Sequence, residues 1–400
     1  MPEWKSTRLG DICTTNKDSY SSKDNWKIVN YLDTGSITEN KITELQYIDI
    51  ETDKLPSRAR RKVRKDSILY STVRPNQLHY GIIKELVDNL LVSTGFTVID
   101  VDTNKAIPEF IYYILTQKNT TEQLQAIAEQ SVSTYPSIKA TDIENLKLKL
   151  PNLAIQKKIV AILDTIDSKI RQNEKINNNL LEQASTLFNS AIQQSTSVVY
   201  AELGSLADVK GGKRLPKGVN LVTTSNQHPY IRVRDLNNTV FASLSNDYEY
   251  VDDETQQSIS RYIVSTGDLL ISIVGTIGLT AIVDHTLNKA NLTENCVKLT
   301  NLKNVTPEYL LLFLRSSQGV EAISKGTVGA VQLKLPIKNI QSFAVPLLCD
   351  EELLPLNETL SAIFSQISVN IVEMKQLSDI RDTILPKLMS GEFDVSGINL

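Results

Sequence analysis

Four motifs occur twice in this chain, in the same order and about 200 residues apart. This duplication limits the possible folds more than any other feature. "RLGDI" (8–12) is echoed by "ELGSLADV" (202–209), and "KDSILYSTVRPNQLHYGII" (65–83) by "GDLLISIVGTIGLTAIV" (267–283). "IPEFIYYILTQ" (107–117) matches "TPEYLLLFLRS" (306–316), with Pro108-Glu109 opposite Pro307-Glu308. "IENLKLKLP" (143–151) matches "IQSFAVPLL" (340–348) in pattern. In the second pair an Asp leads into a β-branched run, a turn and another apolar run, which is the signature of a hairpin. Two copies of one mixed α/β domain are expected.

Each copy ends in a long helical pattern. Ile155, Ile159, Ile162, Ile166, Ile170, Ile176, Leu180, Ala184, Leu187 and Ala191 keep the spacing of a coiled-coil seam, interrupted by Asn173. Leu356, Leu360, Ile363, Ile367, Ile371, Met374, Leu377, Ile384 and Leu388 do the same in the second copy. The seams superpose at one offset: Ile155 on Leu356, Ile166 on Ile367, Ile170 on Ile371. Roughly 35–40 residues at about 1.5 Å each give helices on the order of 50–60 Å, more than one domain's core needs. A pseudo-two-fold axis between them would make them antiparallel and let them space the domains. One turn of DNA, about 34–36 Å, is on that scale. Pro355 is expected at or just before the second helix start. The fold class is therefore α/β (α+β). Globular domains at 1–150 and 196–348 are expected to be joined and spaced by long antiparallel helices at 151–195 and 349–400.

Composition bounds the partners. A chain that is 41% apolar and 22% charged is globular, and a net charge of −4 disfavours a general polyanion binder without excluding a basic face. Cys13, Cys296 and Cys349 have no metal-ligand spacing and read as reduced thiols. "MPEWKSTRLG" has no apolar core, so no signal peptide is expected. The most apolar uncharged stretch, Leu269 to Val283, is too short for a bilayer. A cytoplasmic protein with no membrane partner is expected.

Catalytic signatures are missing. "GGKRLPKG" (211–218) lacks phosphate-loop spacing, and "VGTIGL" (274–279) reads as a hairpin turn. His79, His228 and His285 form no ligand cluster, so no metal is expected. Asp49, Glu51 and Lys54 stand in loose nuclease-like order, a mix common on ordinary surfaces. Neither an Asn-Pro-Pro-Tyr-type tetrapeptide nor an S-adenosylmethionine loop is present.

The duplicated frame, the paired helices and several motifs together resemble the specificity (S) subunit of Type I restriction–modification systems, over essentially the whole chain. "LPSRARRKVRKDSILYSTVRPNQLHYGII", "STGFTVID" and "STYPSIKATDIENLKLKLP" look like one type of target recognition domain. "QKKIVAILDTIDSKI" (156–170) looks like the family's central helix, and "LSDIRDTILPKLMSGEFDV" (377–395) like its C-terminal helix end. The resemblance implies a non-catalytic chain whose two recognition domains each read half of a split site in double-stranded DNA. It implies helices that set the gap and dock two methyltransferase (M) subunits, with restriction (R) subunits joining. S-adenosylmethionine would belong to the M subunits, which flip and methylate adenine; no cofactor is expected in this chain. One departure is the start of the second helix, "CDEELLPLNETL" (349–360), which lacks the "AIQKKI" of the first. Unequal docking of the two M subunits is a hypothesis on that basis.

For such a chain, basic residues on phosphates supply affinity, and donors and acceptors at base edges supply specificity. "RARRKVRK" puts Arg58, Arg60, Arg61, Lys62, Arg64 and Lys65 within eight positions, as phosphate contacts. On a strand from Ile68 to Val73, Tyr70 and Thr72 face away from Leu69, with Arg74 and Gln77 at the turn beyond; Tyr70 as core is the competing reading. Ser133, Thr134 and Tyr135 lie in a second candidate loop. In the second copy the candidates are Lys210, Lys213, Arg214, Lys217, Thr276 and Gln332. Arg232 and Arg234, alternating with Val233, are placed on one strand face. Ile159, Ile162, Ile166, Ile170, Leu360, Ile363, Ile367 and Ile371 are the expected helix-pair contacts. The apolar frames agree while the polar positions differ, so two unlike half-sites are expected. A coiled-coil adaptor whose globular halves bind protein is the alternative.

Overall fold

The computed structural model describes residues 4–131, 135–237 and 239–398. The chain forms two compact units, Met1–Arg171 with Met374–Leu400, and Gln172–Glu373.

In the first unit the hairpin predicted at 65–83 lies in a four-stranded antiparallel sheet. Its order is Cys13–Thr15, Phe96–Val101, Ile68–Ser71, Tyr80–Ile82. Side chains alternate across a strand. Ile68 and Tyr70 face the helices Pro108–Leu115 and Lys118–Glu129, in a core with Phe110, Ile111 and Leu124. Leu69 faces the other way, into a core with Leu32, Val92 and Val98. That second core backs onto another sheet, ordered Gln46–Asp49, Ile28–Leu32, Leu90–Ser93, Ala59–Lys62, whose middle pair is parallel.

The second unit repeats the frame. Leu269–Ser272 and Thr280–Val283 form the hairpin in a five-stranded sheet with Asp208–Gly211, Cys296–Thr300 and Phe241–Ala242. Leu269 and Ile271 pack on Tyr309, Leu310 and Phe313 of the helix Pro307–Arg315, and Leu270 packs on Ile231, Leu292 and Cys296. The parallel pair is again present, as Tyr230–Ile231 with Asn291–Leu292, in a sheet of two strands only. In each unit the strand opening the domain pairs antiparallel with the strand closing it: Lys5–Arg8 with Lys147–Leu150, and Val199–Glu202 with Ala344–Leu347.

The long helices are Leu153–Gln194 and Asp350–Ser390. Within the first unit they run antiparallel, with Asp167 paired to Arg381 at 3.1 Å and Lys158 Nζ donating to Ser396 O at 2.7 Å. Within the second unit Ser195 reaches Glu352 and Asn173 reaches Glu373, the same direction. Ile159, Leu360 and Ile367 are buried, and Ile162, Ile166, Ile170, Ile363 and Ile371 are half-buried. Two expected seam residues, Ile176 and Leu187, are exposed. The seam passes through Asn173 and Phe188 instead, both buried, and in the second helix through Phe364 and Asn370. At Ile176 apolar character misled the count because a buried amide layer, Asn173 and Asn370, occupies the seam; at Leu187 the neighbouring Phe188 is the residue that turns inward. Pro355 is also misplaced by sequence: it is the sixth residue of its helix and exposed, and the helix runs on through it without the N–H that would have bonded the carbonyl of Glu351. Among the described residues no helix is long and apolar enough to cross a membrane.

Candidate nucleic-acid interface

The run "RARRKVRK" is the edge strand Ala59–Lys62 and its continuation. Its inner edge pairs with Leu90–Ser93. Its outer edge is covered by residues 18–20: Tyr20 N–H donates to Arg60 O at 2.7 Å and Lys62 N–H to Asp18 O at 3.1 Å. Arg58, Arg60, Arg64 and Lys65 are exposed, while Arg61 and Lys62 are half-buried. Burial pushes the Arg61 guanidinium below its ordinary pKa. Lys62 is paired with Asp24 and lies over the Trp26 ring at 5.1 Å, and Arg64 is paired with Asp18. The hydrogen bond from Lys62 holds the Asp24 carboxyl below its usual range. The run is thus partly neutralised, and Arg58, Arg60 and Lys65 are its outward charges.

Beyond the central strand the turn is tightly held. Tyr70 is only 1% exposed, its ring stacked on Tyr80 at 5.8 Å. Its strand is covered on both faces, so this residue belongs to the core and offers no surface to a ligand. Thr72 is committed as well: its hydroxyl donates to Gly95 O at 2.8 Å. Arg74 precedes and Gln77 ends a short 3-10 turn, Pro75–Gln77, whose Asn76 N–H donates to Gln125 Oε1 at 3.2 Å. Arg74 stacks over the exposed Tyr135, so the structure brings the two candidate loops of this domain together. Ser133 and Thr134 lie outside the described residues.

In the second unit Arg214, Arg232 and Arg234 line an open cleft of about 390 Å³ with Tyr230 and Glu294. Arg232 and Arg234 are not on a strand: Arg232 precedes the 3-10 turn Val233–Leu236, and its backbone N–H donates to Asp235 Oδ2 at 2.7 Å. Acidic side chains at 235 and 249 hold both arginines, so the alternation read at 232–234 reflects a cap and its turn. Arg214 is paired with Glu294 at 2.7 Å, Lys210 with Asp208 at 3.0 Å, and Lys213 lies over Tyr262 at 5.4 Å. Lys217, Thr276 and Gln332 are exposed. Thr276 sits in the hairpin turn, and Gln332 on a small loop closed by a Val328–Lys334 bridge and tied to the hairpin by Val274–Lys334.

Sequence reasoning missed what Gln156 does. This amide is 1% exposed; it donates to Pro151 O and accepts from Ile107 N–H, both at 2.9 Å, tying the helix start to the helix at 108. The second unit has the shorter Asn357 at the matching position, and Thr306 caps its helix instead. Gln156 of "AIQKKI" therefore serves as an internal clamp, which Asn357 does not repeat in the second copy. The signal was the register itself, which places Gln156 on the buried side of the helix.

Outside comparison agrees with this geometry. The Type I restriction modification DNA specificity domain family matches residues 1–182 and again 197–377. The specificity subunit of the Type I restriction enzyme HindI of Haemophilus influenzae is 24% identical, over 98% of this chain and 100% of its own length. That of the MjaIX enzyme of Methanocaldococcus jannaschii is 22% identical, over 83% of this chain and 78% of its own. The crystal structure of the Type I restriction–modification S subunit from M. genitalium shares the fold at a TM-score of 0.55 and 16% identity, covering 97% and 96% of the two chains. A duplicated family match over a duplicated fold leaves one conclusion: the chain belongs to the Type I restriction–modification DNA specificity family.

Proposed function

We propose that this non-catalytic chain reads an asymmetric two-part site in double-stranded DNA, residues 1–150 contacting one half and 196–348 the other. The helices at 151–195 and 349–400 set the gap and dock two methyltransferase subunits, and restriction subunits join that assembly. The observation that carries the reading is a frame kept twice beneath polar surfaces that are not kept. The central hairpin, its covering helix and the parallel strand pair recur. Arg74 and Tyr135 on one unit correspond to Gly275 and Gln332 on the other. Duplicated scaffolding with unlike readers suits two unlike half-sequences.

Arg58, Arg60 and Lys65 are assigned to phosphates in the first domain, and Lys213 and Lys217 in the second. Base reading is assigned to the turns at 74–77 and 274–276 with the loops at 135 and 332. The test is binding of the full chain with its methyltransferase partner to random and target DNA across salt concentrations. A specificity subunit shows a strong preference for one bipartite sequence, on top of a salt-dependent nonspecific term. A protein-binding adaptor shows no sequence preference at any salt.

A further inference from the structure

The turn after the central hairpin strand places a left-handed residue at the same position in both units, with different chemistry. Three residues beyond Ser272, Gly275 takes φ +81°, a left-handed conformation open to glycine without steric cost. Three residues beyond Ser71, the first unit has Arg74 at φ +47°. A Cβ is strained there, and such strain persists where the surrounding structure enforces it, most often at working sites. The enforcement is visible. Arg74 N–H donates to Pro136 O at 2.9 Å, Gln77 N–H donates to Arg74 O at 2.8 Å, and Val73 bridges to Ser137.

The side chain is equally prepared. The guanidinium carbon lies 4.9 Å from the centroid of the Tyr135 ring, which is 57% exposed. Among the described residues Arg74 enters no ion pair, whereas Lys62 and Arg64 on the nearby basic strand each hold a carboxylate. A phosphate needs only a cation and would not require a strained, braced turn. A planar fork held on an aromatic face suits a target with two adjacent acceptors in one plane.

We infer that Arg74 reads a guanine in the half-site of the first domain, donating from its guanidinium to O6 and N7 in the major groove. The inference rests on the proposed function and sharpens it: the second domain, with glycine at this position, has no reader there, so the half-sites differ at the corresponding base pair.

The test uses the full chain with its methyltransferase partner, bound to its target with each guanine in turn replaced by 7-deazaguanine, which lacks the N7 acceptor. One guanine in one half-site is expected to be sensitive, with a loss of about 10-fold or more. The Arg74→Gln complex should be indifferent to that replacement. Arg74→Gly should lose the same discrimination with a melting temperature no lower than wild type, which separates reading from folding. An unchanged pattern of sensitivity in both variants overturns the inference. So does a uniform loss at all sequences with a salt slope reduced by about one, which marks a phosphate contact. A wild-type complex without any bipartite preference would remove the proposed function, and this inference with it.

Discussion

At the turn above the central hairpin, the first domain carries Arg74 over Tyr135, and the second carries Gly275 beside Thr276. The contrast extends to the basic residues. In the first domain a basic edge strand is added to the sheet holding the parallel pair; in the second that pair stands alone and Arg232 and Arg234 are held by acidic neighbours. Beneath these differences the shared part of the frame agrees in places to the level of single hydrogen bonds. Ile138 N–H donates to Thr72 O in one, and Leu335 N–H to Ile273 O in the other. Packing thus fixes where a reader sits, while the surface chemistry at that place is free to vary.

The largest test of the shared frame lies at the start of the hairpin. Ser67 and Asp268 do one job, each accepting a backbone N–H from three residues before, at 2.9 and 2.8 Å. Asp268 is also paired with Lys298 at 3.0 Å, both shielded from solvent. Asp268→Ala leaves a shielded ammonium without its partner and should cost about 3 kcal/mol, against about 1 kcal/mol for Ser67→Ala. Both tryptophans, Trp4 and Trp26, belong to the first unit. Urea unfolding of Asp268→Ala should therefore move the circular dichroism transition more than the tryptophan fluorescence transition; equal shifts would break the comparison.

The added basic strand comes next. Replacing Arg58, Arg60 and Lys65 with Ala should lower affinity for all sequences alike and reduce the slope of log affinity against log salt by about 0.9 for each phosphate no longer neutralised. The methylated motif should not change. Replacing Lys62 and Arg64, whose charges already have partners, should change the slope less.

A smaller effect is expected in the helix pair. Asn370 Nδ2 donates to Asn177 Oδ1 at 2.8 Å and Gln366 donates to Asn370 at the same distance, a polar layer within an apolar seam. Such layers fix register at some cost in stability. Asn370→Leu should leave the melting temperature unchanged or raise it by a few degrees, while relaxing the preference for one gap length between half-sites in binding assays.

The smallest concerns the thiols. Each unit shields a thiol at a non-equivalent place, Cys13 half-buried and Cys296 buried: both are pushed up from 9.0 to about 12, chiefly by loss of solvent. A raised folded pKa means the stabilising difference is whole below about 9 and is lost as pH rises towards 12. Stability should therefore fall across that window, and less so in a Cys296→Ala chain. A thiol reagent at neutral pH should label exposed Cys349 first.

Much of this was legible because duplication is a strong signal and packing obeys simple periods. The hairpins and the two long helices stand where the repeats place them, and the matched segments at 107–117 and 306–316 both prove to be helical. Reading failed where a residue's surroundings come from distant sequence. Tyr70 alternates correctly, but only the second sheet and the helix at 118 reveal that both strand faces are covered. Asn173 looked like an interruption because its partner, Glu373, is 200 positions away. Arg232 and Arg234 alternate as a strand would, yet a side-chain cap at Asp235 turns the chain there.

The central claim, two unlike readers on one duplicated frame, is tested most directly by sequencing methylated adenines in a genome carrying this chain and its methyltransferase partner. The account predicts one motif of two unlike half-sequences separated by a fixed gap. A single uninterrupted motif, or two identical halves, would contradict it.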